Sequence, residues 1–130
     1  MPSFGTLKAD TLTHSIAGSL ATNFVVNGSS KVWMQIKGDG TAQIDGSLNA
    51  ASLTDNGTGD YTTSFTSSLA DTNYCITTGV EYTFSDSLIM ATYNESNKAV
   101  GSLQLVCNKT DEGDSVDVPE VNGKIAGDLA

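Results

Sequence analysis

Two groups of carboxylate residues are the first candidates for chemistry in this sequence. Asp55 and Asp60 flank an Asn-Gly-Thr-Gly turn, and a second turn contains Asp111, Glu112 and Asp114. Paired carboxylates can act as a general acid and base, and calcium prefers oxygen ligands of this kind. Neither group has the spacing of a known calcium loop, and Asp residues in turns commonly bond their own backbone. We therefore predict no catalytic, metal-binding or cofactor-binding residues and a protein that is not an enzyme.

The only histidine and the two cysteines also have spacings that argue against a reactive site. His14 has no second histidine with which to form a dyad, and zinc would need further ligands. Cys75 and Cys107 lie in separate strand-like runs without Cys-x-x-Cys spacing. Two interpretations remain for this pair: buried reduced thiols, which the spacing favours, or a disulfide across a sheet.

Aromatic residues form the last candidate site. Trp33, Tyr61, Tyr82 and Tyr93 lie in predicted strands and could stack against sugar rings on a cell surface. Aromatic residues in strands are more commonly part of the core, because they bury a large apolar area. The sequence alone does not decide between a glycan platform and core packing.

The net charge and hydropathy exclude several classes of partner. The chain carries a formal charge of −9 with only six Lys and Arg residues, so it lacks the clustered cations that bind nucleic acid or anionic membranes. Its apolar runs reach about four residues, whereas a transmembrane helix needs about 20. No basic stretch precedes an apolar block at the N-terminus, which predicts no secretory signal and synthesis in the cytoplasm.

Composition predicts an all-β fold with a thin core. Val, Leu, Ile and Phe make up about 22% of the chain, while Ser, Thr and Gly are abundant and helix-forming residues are scarce. Short strands at even spacing favour a small antiparallel sandwich or a jelly-roll-like domain. A chain with so few large apolar residues gains stability by burying a face against copies of itself, which predicts a homo-oligomer.

The chain divides into an N-terminal arm and one β-rich domain. Residues 1–22 are predicted to be an extended arm, because Pro2–Ala21 lacks the alternation of a strand and Leu7, Leu12 and Ile16 only loosely fit one helical face. Residues 23–130 form the domain, in which Lys31–Lys37 alternates most clearly. Further strands are predicted at Asn23–Val26, Thr41–Asp45, Ser47–Leu53, Tyr61–Phe65, Tyr74–Thr78, Gly79–Phe84, Leu88–Tyr93 and Val100–Cys107, with Lys124–Ala130 as a frayed or docked tail.

The segment from Ser47 to Phe65 carries the strongest local signal, a hairpin centred on Asn56-Gly57. This stretch, Ser52–Thr62 above all, closely resembles a module found in tail-fibre and other surface proteins of tailed bacteriophages. Phe65 and the Asp-Thr-Asn-Tyr element Asp71–Tyr74 match its continuation, and Ala70 departs from it where proline is common. The resemblance extends upstream through Lys31–Asn49 and, more loosely, to Phe4–Leu12, so that it covers about half the chain. Cys75 stands where the module usually has a small or β-branched residue, and no family pattern continues after Thr78.

The resemblance implies a structural protein on the surface of a phage particle, made in the cytoplasm of the bacterial host. It implies a homotrimeric short fibre or spike subunit, docked through its N-terminal arm on a capsid or tail protein, with host attachment through a cell-surface glycan as one role. A capsid decoration protein that reinforces the head is the alternative, favoured by a chain with room for only an arm and one domain. A carbohydrate-binding module is an alternative from another class.

Overall fold

The structure is a computed structural model that describes residues 9–15, 18–81 and 89–130. Its framework is a sandwich of two four-stranded antiparallel sheets, preceded by a separate two-stranded hairpin and a short helix. The all-β sandwich prediction is confirmed. In chain order the elements are β1 (Thr11–His14), β2 (Gly18–Ala21), α1 (Thr22–Gly28), β3 (Ser30–Lys37), β4 (Gln43–Leu48), β5 (Ala50–Gly57), β6 (Asp60–Phe65), β7 (Cys75–Val80), β8 (Ile89–Tyr93), a 3₁₀ helix (Glu95–Asn97), β9 (Ser102–Lys109) and β10 (Val121–Ala126).

The core lies between two sheets that we call the front sheet, ordered β4-β3-β10-β7, and the back sheet, ordered β5-β6-β9-β8. Strand side chains alternate between the two faces of a sheet, so every second residue of β3, β6, β9 and β10 points inward. This confirms the alternation predicted for Lys31–Lys37, of which Val32, Met34 and Ile36 are buried. The buried apolar residues are Val32, Met34, Ile36, Tyr61, Phe65, Leu69, Tyr74, Ala91, Leu103, Leu105, Cys107, Val118, Val121 and Ile125.

Strand β10 corrects the prediction of a frayed tail at Lys124–Ala130. It lies inside the front sheet between β3 and β7, with Val121 and Ile125 fully buried. Gly123 holds the inward position between them, where an added Cβ would lie 3.2 Å from the side chain of Leu105. Gly123 and Lys124 weaken the strand pattern of so short a segment. Gly123 is nevertheless required, because a larger residue would not fit against Leu105 across the sandwich.

The predicted hairpin forms, but its turn lies two residues later than the sequence indicated. Strands β5 and β6 pair up to Gly57 opposite Asp60, which leaves Thr58 and Gly59 as the loop. An irregularity in the register between Asp55 and Gly57 shifts the turn away from Asn56. Gly59 has a φ of 65°, and an added Cβ there would lie 2.6 Å from the carbonyl oxygen of Val116. Close packing against the neighbouring loop thus selects the turn position.

The residue between β4 and β5 carries the chain from the front sheet to the back sheet. Asn49 has a φ of 61°, a left-handed conformation that asparagine tolerates better than most residues. Its side chain accepts a hydrogen bond from the Ser67 amide at 2.7 Å and donates one to the Ser67 carbonyl at 3.0 Å. Both ends of the amide therefore hold this corner of the sandwich in place.

The N-terminal region has more secondary structure than the sequence predicted. Strands β1 and β2 pair as an antiparallel hairpin, and Asn23–Val26, predicted as a strand, lies in α1. Leu12 therefore lies on a strand, while Leu7 and Ile16 of the expected helical face are outside the described residues. The hairpin and helix are joined by two hydrogen bonds from Thr22, to the carbonyls of Asp10 and Ala9. We call residues 9–15 and 18–29 together the N-terminal unit.

Candidate functional site

The hairpin carboxylates serve the local fold. Asp55 accepts a hydrogen bond from the Gly57 amide at 3.0 Å. Asp60 accepts one from Asn56 at 3.0 Å and one from the amide of the nearly buried Gln104 at 2.5 Å. The Gln104 bond ties the turn to strand β9, and one oxygen of each carboxylate is engaged in these local contacts.

The second acidic turn is likewise engaged in local contacts. Glu112 forms an ion pair with Lys109 at 3.2 Å, and its amide donates a hydrogen bond to the side chain of Asp111. Within residues 9–15, 18–81 and 89–130, no group of three or more His, Cys, Asp or Glu side chains is arranged to hold a metal ion.

The two cysteines are free thiols in different environments. Cys107 is fully buried in β9, as predicted, and burial together with the charge of Asp117 raises its pKa to about 11. Cys75 is exposed on β7, so the prediction of burial is wrong for this residue. It pairs with Ala126 at an end of the front sheet, where the alternation places it on the outer face. His14 lies in β1.

The structure does not bring the described aromatic candidates together. Tyr61 is fully buried, whereas Trp33 is on the outer face of the front sheet and Tyr93 is in the back sheet. Tyr82 lies outside the described residues. Trp33 packs its indole over Gly46, where an added Cβ would lie 3.4 Å from the ring. A shared glycan platform of Trp33, Tyr61 and Tyr93 is therefore not formed.

Tyr61 instead connects three loops at one end of the sandwich. Its hydroxyl lies 3.0 Å from both the Gly38 carbonyl and the Asp117 carboxylate, and the same carboxylate accepts a bond from the Gly59 amide at 2.7 Å. Burial, reinforced by Asp117, raises the pKa of Tyr61 well above its usual range. Tyr61 therefore stays neutral and connects the Gly38 and Asp117 loops through its hydroxyl.

The most unusual surface belongs to the N-terminal unit, where apolar side chains face solvent. Leu12 and Leu20 pair directly across the β1–β2 hairpin and are 42% and 46% exposed. In α1, Phe24 is 66% exposed and Val26 57%. We call Leu12, Leu20, Phe24, Val25 and Val26 the N-terminal apolar surface. These five side chains lie on neighbouring elements, and large exposed apolar patches mark interaction sites.

Among the described residues, helix α1 is stabilised by few contacts besides the bonds of Thr22 and Val26. It has seven residues, none of them buried, and its N-cap Ala21 makes no side-chain capping bond. Isolated helices shorter than about 12 residues are marginal in water, so packing must provide most of their stability. The run Phe24-Val25-Val26 is the sequence signal for this surface, but three consecutive apolar residues fit a strand equally well.

Among the described residues, no helix is long and apolar enough to cross a membrane. No protein-family model, no curated protein and no solved structure matches the chain.

Proposed function

We propose that this chain is a non-enzymatic structural subunit on the surface of a tailed-phage particle. In this proposal the sandwich is the exposed body, the segment 1–22 is the docking element, and copies of the chain associate as a trimer in a short fibre or spike. The phage assignment depends on the resemblance of the Ser52–Thr62 hairpin to the phage surface module, and the trimer depends on the same resemblance.

The observation that carries the docking role is the N-terminal apolar surface. The sandwich has a buried apolar core, although Leu48, Met90 and Leu129 stay about half exposed, whereas the described part of the N-terminal unit contributes no residue to that core. Full burial of a leucine or phenylalanine side chain stabilises a protein by about 1.5 to 3 kcal/mol, and roughly half of that remains unrealised for Leu12, Leu20 and Phe24, which are 42%, 46% and 66% exposed. A chain that keeps such residues together on a separate unit gains this energy when the unit meets a partner.

Capsid decoration uses the same docking mode and is the second candidate. The observation that favours it is the compact body, since the described residues beyond position 30 all belong to one sandwich with its connections and no shaft. Labelling the subunit with an antibody and imaging particles by electron microscopy separates the two: signal over the head supports decoration, and signal at the tail supports a fibre.

The test of the docking role is removal of the arm. A chain lacking Pro2–Ala21 should keep the circular-dichroism spectrum of the sandwich, because the core residues lie beyond this segment. It should fail to enter particles assembled in the bacterial host. Normal incorporation of the shortened chain would contradict the proposal.

Two matched double variants test whether incorporation into particles depends on the apolar face of the β1–β2 hairpin. Leu12→Ser with Leu20→Ser removes the apolar cross-strand pair, whereas Thr13→Ala with Ser19→Ala alters the hydroxyl pair on the other face. Only the leucine variant should lose incorporation. Equal loss in both variants would point to the hairpin fold instead of its apolar face.

A further inference from the structure

An open pocket lies on the sandwich next to the end of α1. It has a volume of about 430 Å³, and Leu48 and Leu129 supply its apolar side chains, 48% and 47% exposed. This size is within the range of about 300 to 1,000 Å³ typical of ligand sites. The remaining lining residues are Ser30, Lys31, Asn49, Thr66 and Ser67.

The walls of this pocket are held by hydrogen bonds within the sandwich. Asn49 bonds both backbone groups of Ser67, as described for the sheet corner. On the opposite wall, Leu129 pairs with Leu69, the Ala130 amide donates to the Ser68 carbonyl at 3.0 Å, and the Ala70 amide donates to Asp128 at 2.9 Å. The backbone that carries Leu48 and Leu129 is therefore held in place by these hydrogen bonds. A preformed apolar pocket binds its occupant with less loss of conformational entropy than a mobile one.

The helix of the same chain is fixed at the rim of the pocket without filling it. Lys31 donates from its ammonium group to the Val26 carbonyl and, at 2.7 Å, to the Ser29 hydroxyl. On its other side, Asn27 lines a second pocket with Cys75 and Asp128. The Lys31 bonds hold the C-terminal end of α1 in place, and Phe24 remains 66% exposed.

Charge favours a second copy of the chain as the occupant. At −9 per chain, copies repel one another, so contact is least opposed where carboxylates are absent. Residues 11–38, which include the whole of α1, contain no Asp or Glu. The lining residues of the pocket likewise include no carboxylate and one cation, Lys31. The two surfaces are therefore both apolar, and neither the pocket lining nor α1 brings a carboxylate into the contact.

We infer that α1 of one copy inserts Phe24 into the Leu48–Leu129 pocket of the next copy. The contact joins two different surfaces of the same chain, and such head-to-tail contacts generate closed rings when the rotation between copies closes. Three copies then bury three helices and three pockets. This inference relies on the proposed trimer, and the α1–pocket contact is its interface. Leu12 and Leu20 remain available to bind the particle protein.

Disulfide trapping between two separately labelled chains tests the contact. Both chains carry Cys75→Ser to remove the exposed thiol; one also carries Phe24→Cys and the other Leu129→Cys. After the two are mixed, refolded together and mildly oxidised, a reducible band at twice the chain mass containing one of each is expected. As a matched control, Met90→Cys replaces Leu129→Cys, because Met90 is equally exposed, at 52%, but lies on the back sheet. The control mixture should give little or no such band.

The outcomes separate this inference from the proposed function when the mass of the unmodified protein is measured alongside. If the protein is a trimer but no disulfide forms between positions 24 and 129, the insertion of α1 into the pocket is contradicted, and the proposed structural role is unaffected. A bond that forms only within a chain carrying both substitutions also overturns it, because the helix then fills its own pocket. A 24–129 bond between chains of a protein that never enters particles supports the inference and overturns the phage role.

Discussion

The sandwich and the N-terminal unit differ in whether their apolar side chains form a core. In the sandwich, two sheets cover each other, and residues such as Ile36 and Leu105 are completely removed from water. In the N-terminal unit, strands and a helix form with regular hydrogen bonds, yet Phe24 and Leu20 remain exposed. Hydrogen-bonded secondary structure alone therefore does not make a core, and the apolar residues of this unit are available to another molecule.

The difference also concerns how firmly each region is held. Loop carbonyls, the Tyr61 hydroxyl and the Asp117 carboxylate join distant segments of the sandwich. The N-terminal unit is linked within itself through Thr22 and to the start of β3 through Lys31. We expect it to open at a lower free energy than the sandwich, since local stability follows buried contacts.

The largest expected contrast comes from removing one large apolar side chain in each region. Leu105→Ala should lower the free energy of unfolding by about 2 to 5 kcal/mol, because it leaves a cavity beneath Gly123. Phe24→Ala, measured at a concentration where the chain is monomeric, should change it by less than about 0.5 kcal/mol. Urea titrations followed by tryptophan fluorescence give both values. Equal losses would mean that α1 is part of the sandwich core.

A pair of glycine substitutions contrasts the two regions through the backbone. Gly59→Ala requires a side chain at a φ of 65° and places a Cβ 2.7 Å from the Cys107 carbonyl, so a loss of at least about 1 to 3 kcal/mol is expected. Gly28→Ala in α1 meets no atom within 4 Å, and alanine favours a helix by about 1 kcal/mol at interior positions. Thermal melting should show a lower midpoint for the first variant and no decrease for the second. A stable Gly59→Ala protein would show that the hairpin turn can shift back towards Asn56.

The smallest expected effect is a loss of sandwich stability at alkaline pH. Burial, with a contribution from Glu95, raises the pKa of Tyr74 to about 12, and burial raises that of Cys107 to about 11. A group whose folded pKa lies above its unfolded value stabilises the fold fully below the unfolded pKa and loses that contribution as pH rises to the folded one. Stability should therefore fall from about pH 9 for the thiol and from about pH 10 for the phenol.

Two variants localise this alkaline transition. Tyr74→Phe should make the fall above about pH 10 shallower. A chain without Pro2–Ala21 should keep the full transition, because all four tyrosines lie beyond that segment. Urea unfolding across this pH range provides the measurement, and an unchanged slope in Tyr74→Phe would show that its ionisation is not linked to unfolding.

Local patterns predicted the parts of the fold that depend on alternation. Val32, Met34 and Ile36 repeat every second residue, as do Leu103, Leu105 and Cys107, and both sets are buried as expected. Strand β10 was missed because Gly123 occupies an inward position that long-range packing against Leu105 requires. The spacing between Gly123 and Leu105 across the sandwich cannot be predicted from the local sequence pattern.

The candidate site could be predicted only in outline. The sequence indicated that residues 1–22 differ from the rest, but it did not reveal the β1–β2 hairpin, since four-residue strands are too short for a clear period. The sequence predicts a strand at Asn23–Val26 because Phe24, Val25 and Val26 are residue types common in strands, whereas the structure has them in α1. Their exposure follows from the absence of a covering sheet, which only the assembled fold can show.

The mass of the intact protein in solution, measured by light scattering, tests the central claim most directly. We expect a trimer of the 13.5 kDa chain, in which Phe24 of each copy is covered by a neighbouring copy. A monomer that persists at high protein concentration would contradict it, since Phe24 and its neighbours would then face water without a partner from the same chain.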